Sequence, residues 1–220
     1  MQREVIGVVG CYSHDVILML AKVLSNMGKK VILFDCNNRH TLGASIPVPA
    51  GMSAQKAVVE FDGIYYTEKE PERGLMAGYD VCFVDMGMGN QEIKQVSCNR
   101  IILITDMLLH HIRQLHKMKF EKQLVQYILI RDAVSILMMG EKEVREFLQG
   151  FPNRQEFFLP PDRRDVKNRC LCETMHEYNI KKASPEMREF VYRIAMELCG
   201  GLTEREFCRR LRRRERREYA

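Results

Sequence analysis

The sequence predicts a doubly wound, mostly parallel α/β sheet flanked by helices, followed by a basic C-terminal helix. Three observations predict it. Short β-branched apolar runs alternate with stretches of helical periodicity along most of the chain, the pattern of strands buried on both faces between covering helices. Residues 5–35, VIGVVGCYSHDVILMLAKVLSNMGKKVILFD, read strand, tight turn, helix, strand, a unit that has to cross over into a parallel sheet. At 220 residues, 46% apolar and 29% charged, the chain is long enough to bury one sizeable core.

Taken in order, residues 4–9 form the first apolar β-branched run. Residues 15–27 carry Val16, Leu20, Val23, Leu24 and Met27 at helical spacing, and Gly28 supplies a stop. Residues 30–35 make the second strand, and 37–50, with Pro47 and Pro49, a loop. Residues 52–61 predict a short helix, 64–67 a short strand, and 68–77 are polar and permit a helix. Residues 79–85, YDVCFVD, are a third buried strand, and 91–97 a short helix. Residues 100–105 and 125–130 are strands around a helix at 107–118. Residues 141–149 are helical, 156–159 form a last strand, and Pro160-Pro161 breaks the chain. Helices at 166–178 and 185–199 follow, and after Gly200-Gly201 a basic helix spans 203–219. The organisation expected is one α/β domain over residues 1–200 and an Arg-rich helix or tail over 201–220.

Composition narrows the function classes. No apolar run approaches the roughly 18–20 residues of a membrane span. The N-terminus enters strand-like sequence directly, with no secretory pattern. The eight cysteines are scattered, several inside apolar runs, as expected of reduced thiols in a cytoplasmic protein. Cys170, Cys172 and His176 are the one metal-like grouping in the sequence, and their spacing fits no standard zinc motif; no metal is expected there. The whole chain carries a formal +5 and the segment 205–220 carries +5 by itself, so the excess charge sits entirely in the tail.

In doubly wound folds ligands bind beyond the carboxyl ends of the strands. Polar groups gather at three such ends: residues 10–15, 35–39 and 85–90. The segment GKKVILFD ending at Asp35, the segment YDVCFVDMG containing Asp85 and Gly87, the strand at 100–106 with its following helix, and Leu159-Pro160-Pro161-Asp162 keep their order and spacing over about residues 4–200. Together they resemble the MinD/ParA family of deviant P-loop ATPases. The resemblance implies a P-loop NTPase fold, Asp85 serving Mg²⁺, Gly87 opening a switch loop, and ATP with Mg²⁺ as cofactors if the phosphate loop works.

The departures point the other way. A phosphate loop needs several glycines, whose backbone N–H groups wrap the phosphates, and a lysine to neutralise charge. Here only Gly10 remains, and Ser13 and His14 fall about where the family has its lysine and Mg²⁺-ligating hydroxyl. Ser13 instead suits a helix N-cap. Asp15 places a carboxylate in the first turn, where the helix dipole favours it and where it would repel a phosphate. Asn37 stands where a second acid is common in the family, and Ile130-Arg131 where an asparagine often reads adenine.

The candidate nucleotide-site residues are therefore Gly10, Cys11, Tyr12, Ser13, His14, Asp35, Asp85 and Gly87; no catalytic residue is assigned. Asp35 and Asp85 read foremost as caps of strand ends, His14 as an exposed turn residue, and His110, His111 and His116 as a solvated helix face. Tyr12 either stacks on a base or partner or fills the vacated loop space. Residues 86–89 are a flexible apolar loop, fixed or partner-binding. In the tail, Arg209, Arg210, Arg212, Arg213, Arg214, Arg216 and Arg217 leave three readings open: a solvated face, contact with a protein partner or anionic membrane surface, and nucleic acid.

The functional expectation is a catalytically silent or weakened MinD/ParA-like scaffold, peripheral to the membrane at most, working with a protein partner or as a homodimer. Its nearest analogy is the TadZ/CpaE branch, which helps position pilus or secretion machinery. The alternatives are an active ATPase with an atypical loop and a DNA-binding partition or regulatory protein using the tail.

Overall fold

The computed structural model describes residues 3–88, 98–134, 142–200 and 202–218. Eight strands form one sheet: β1 (Glu4–Gly10), β2 (Val31–Asp35), β3 (Val59–Phe61), β4 (Ile64–Thr67), β5 (Val81–Gly87), β6 (Arg100–Asp106), β7 (Val125–Arg131) and β8 (Gln155–Phe158). Their order is β3-β4-β2-β5-β1-β6-β7-β8. Every neighbouring pair is parallel except β3 with β4.

The helices are α1 (His14–Asn26), α2 (Thr41–Ser45), α3 (Arg73–Met76), α4 (Leu109–Lys117), α5 (Lys142–Gln149), α6 (Arg163–Met175), α7 (Pro185–Cys199) and α8 (Glu204–Glu218). One core lies between a sheet face and α1, α6, α7 and α8, where Ile6, Val8, Leu33 and Phe83 meet Leu20, Phe190 and Phe207. On the other face Val9, Leu103 and Ile128 pack against Ile112 of α4 and Phe147 of α5. Successive strand residues thus feed opposite cores, which is why the strands read as continuous apolar runs rather than alternating ones.

The expected elements at 52–61 and 68–77 need correction. Residues 52–58 form no helix. Val59–Phe61 is instead the antiparallel partner of β4, joined to it by the two-residue turn Asp62-Gly63. Both turn residues have positive φ, 53° and 74°, the twist-matched hairpin geometry that Asp-Gly supplies. Only Arg73–Met76 of the second segment is helical, and the loop at 37–50 contains the short α2. Helix α6 begins three residues earlier than the periodicity suggests, because the Asp162 carboxylate accepts the Arg164 N–H and caps it; His176, left-handed at φ 54°, closes it. The expected helix at 91–97 and the loop beyond Met88 lie outside the described residues.

Candidate functional site

The carboxyl ends of β1, β2, β5, β6 and β7 converge on the turn that enters α1. Gly10 ends β1 at φ +135°, and a Cβ there would sit 1.7 Å from the Ile104 carbonyl oxygen. Only glycine permits this approach of β1 to β6. The Cys11 N–H then donates to that same carbonyl at 3.0 Å. Tyr12 takes a left-handed conformation, φ 52°, which turns its ring outward (47% exposed) with the Arg169 guanidinium 4.7 Å from the ring centre.

The next three residues are buried. Ser13 holds the N-cap position but makes no side-chain cap bond. Its hydroxyl donates to Asp85 Oδ1 at 3.0 Å, which corrects the capping expectation. His14 is 1% exposed, not an exposed turn residue. Neither ring nitrogen has a hydrogen-bond partner among the described residues, although Nε2 lies 3.2 Å from a Glu173 oxygen. Burial, opposed by Asp15 and Glu173, drives its pKa down toward the neutral imidazole.

Asp15 is fully buried and meets Arg131 edge on, with Oδ1 2.7 Å from Nη1 and Oδ2 2.8 Å from Nη2. The same Nη1 donates to the Tyr12 carbonyl at 2.8 Å. Burial alone would raise the Asp15 carboxyl, but the guanidinium outweighs it and holds the pKa below the ordinary value. The carboxylate expected in the first turn of the helix is therefore there, neutralised by a cation from the end of β7.

Asp35 and Asp85 are register partners at the ends of β2 and β5. Asp35 accepts from the Gly43 N–H at 3.0 Å, the Asn37 N–H at 3.2 Å and the Tyr66 hydroxyl at 3.3 Å. Asp85 accepts from Ser13, from the Gly87 N–H at 3.1 Å and from Asn37 Nδ2 at 3.4 Å. Burial, reinforced by the Asp35 charge, pushes the Asp85 carboxyl up to about 6; burial also raises Asp35.

A third group was not anticipated. His111, in the first turn of α4, places Nδ1 2.8 and 2.9 Å from the two Asp106 oxygens, so it is not part of a solvated face. Cys11 joins them, one donor atom of each residue lying within 4.8 Å of the others. Burial, with Asp106 adding to it, pushes the Cys11 thiol up to about 12. A cavity of about 470 Å³ opens beside these groups, lined among others by Gly10, Cys11, His14, Asn37, Arg39 and His111. All eight candidate residues of the sequence thus lie around one end of the sheet. The residues that sequence reasoning missed are Arg131 as the partner of Asp15, and Asp106 with His111. Their one sequence signal is a charged residue terminating an apolar strand.

Comparison with solved structures gives the same architecture. MinD from Aquifex aeolicus, in a MinC:MinD cell division complex, aligns with a TM-score of 0.62 at 13% identity, covering 91% of this chain and 97% of that one. The fold is that of the MinD/ParA P-loop ATPases. McdA from Cyanthece, in its apo form, gives 0.62 at 10% identity over 90% of this chain and all of that one. A putative plasmid partition protein from Borrelia burgdorferi, bound to AMPPNP, gives 0.58 at 11% identity, covering 90% and 98%. No protein-family model matches the sequence, nor does any curated protein. Among the described residues no helix is long and apolar enough to cross a membrane.

Proposed function

We propose that this chain is a catalytically silent MinD/ParA-like protein, a scaffold that helps to localise or assemble a cellular machine such as a pilus or secretion apparatus. The Asp15–Arg131 pair carries the reading. A phosphate seated at the N-terminus of α1 needs unpaired N–H groups, a glycine-rich wrap and a free cation. Here that end carries a fully buried carboxylate already satisfied by the nearest cation, and the hydroxyl of Ser13 is bound to Asp85 rather than free for Mg²⁺. The partner-facing surface in this reading is the same end of the sheet, where Tyr12, Leu108, Val134 and Val166 are exposed. A homodimer or a protein partner seated there would be held without nucleotide control. The arginine tail adds affinity for an anionic membrane surface and, less favoured, for nucleic acid.

One observation favours a second reading. The 470 Å³ cavity touches Gly10, Asn37 and Thr41, so an ATPase with an atypical loop has room for part of a nucleotide. Calorimetry of the full chain with Mg²⁺–ATP and Mg²⁺–ADP, with Asp85→Ala as control, separates the two. The scaffold predicts no binding at millimolar nucleotide. Micromolar binding abolished by Asp85→Ala would overturn it in favour of the ATPase.

A further inference from the structure

The strand-end cavity has a chemically distinct corner away from the Asp35–Asp85 pair. We infer that Cys11, Asp106 and His111 form a binding site for a zinc-class divalent cation, with a fourth coordination position open to the cavity. A thiol, an imidazole and a carboxylate are the N, S and O donors that Zn²⁺ takes in tetrahedral sites, and three protein ligands plus one exchangeable position is the arrangement of its open sites. Bonds of about 2.0–2.3 Å put tetrahedral donors roughly 3.5 Å apart. The three donor atoms already lie within 4.8 Å of one another, so closure onto a cation requires a shift of about 1 Å.

The fold sets each ligand from a different place. Cys11 is fixed by the bond from its own N–H to the Ile104 carbonyl, next to a glycine that tolerates no side chain. Asp106 ends β6, and its Oδ1 accepts the Leu108 N–H at 2.9 Å as well as facing His111, while Oδ2 faces His111. His111 follows one turn later on α4. Cys11 and His111 both line the cavity, whereas Asp106 lies behind them, 5% exposed. As the S–Zn bond forms, the thiol proton leaves to solvent; the proton between His111 Nδ1 and Asp106 is given up to solvent as well, the ring keeping its one N–H on Nε2, and two metal–ligand bonds replace that hydrogen bond. The inference does not require nucleotide, because none of its ligands is among the groups tied to Asp85, although Cys11 and His111 line the same cavity.

The test uses the metal-free, reduced full-length protein, titrated with Zn²⁺ against a chromophoric chelator and with Co²⁺ as a spectroscopic substitute. One equivalent should bind, with a thiolate-to-cobalt charge-transfer band. Cys11→Ser and His111→Ala should each abolish the band and weaken Zn²⁺ by more than about 100-fold, beyond the roughly 10–100-fold typical of groups that only support a ligand. Cys170→Ser/Cys172→Ser should leave both unchanged. Absence of stoichiometric binding, binding indifferent to the first two variants, or loss on the third would overturn the site. Should the single variants fail to fold, wild-type protein decides: Zn²⁺ must protect Cys11 from alkylation, read by peptide mass, and equal labelling with and without Zn²⁺ refutes the proposal.

Discussion

Arg131 spends its guanidinium on one carboxylate and one turn carbonyl while 3% exposed. Removing one member of such a pair strands a buried charge, which costs about 3–5 kcal/mol, whereas replacing both with apolar side chains of similar volume is often neutral or stabilising. Arg131→Ala and Asp15→Ala should each lower the unfolding free energy, measured by urea denaturation, by an amount in that range, and Asp15→Leu/Arg131→Met should cost far less than their sum. Additive losses would show that the pair is not coupled. Asp85 makes the complementary case. Its carboxyl rises from the ordinary 3.8 to about 6 in the fold, so the native state keeps a proton that the unfolded chain has released. Stability therefore falls as pH rises through that window and levels above it, by at most about 3 kcal/mol. Asp35 is shifted the same way; Asp15, held below its ordinary value, gives stability that is present above pH 3.8 and lost below it. Subtracting the pH-stability curve of Asp85→Asn from that of the wild type should isolate a decline between those pH values. A flat difference would show that the Asp85 proton is not retained.

Helix α8 is tied to the body of the protein at its start. Phe207 and Leu211 are buried in the core shared with α1 and α7, and the Phe207 ring meets Tyr192 edge-on at 6.0 Å. Phe207→Ala should cost about 3–5 kcal/mol by chemical denaturation, the usual range for a large aromatic deleted from a packed site. A loss under 1 kcal/mol would mean that the helix is only loosely laid on the surface. The parallel strands were legible in the sequence because both faces are buried, leaving unbroken runs such as VILFD and RIILIT. The β3–β4 hairpin was hidden because Val59–Phe61 is only three residues long and follows residues with good helix propensity. The strand-end acids were legible because a carboxylate closing a buried strand stands out. The Asp15–Arg131 pair was not, since its members are 116 positions apart and only the sheet order brings β7 to the α1 turn. The grouping of Cys11 with Asp106 and His111 was illegible for the same reason: only the pairing of β1 with β6 brings the α1 turn to the end of β6 and the start of α4.

At the scale of the whole molecule, charge and packing divide the C-terminal helix into two parts. Its first half contributes Phe207 and Leu211 to the core, while Arg209 and Arg210 are exposed. The formal excess of +5 belongs to the segment that contains both halves. Deleting that segment would confound lost charge with an uncovered core, so it cannot test surface attraction cleanly. Substituting Arg213, Arg214, Arg216 and Arg217 by Gln spares Phe207 and Leu211 and brings the formal charge from +5 to +1. If the tail meets an anionic membrane, each of these arginines is worth up to about 1 kcal/mol near the surface. Vesicles rich in phosphatidylserine should then bind the wild type in a salt-dependent manner, and the fourfold variant up to about a thousandfold more weakly with its thermal stability unchanged. Equal binding by the two proteins would place the attraction elsewhere. Binding to duplex DNA with a steep salt slope, but not to vesicles, would assign the same charge to nucleic acid. Because the four substitutions leave the sheet end untouched, either outcome can be read without disturbing the strand-end site.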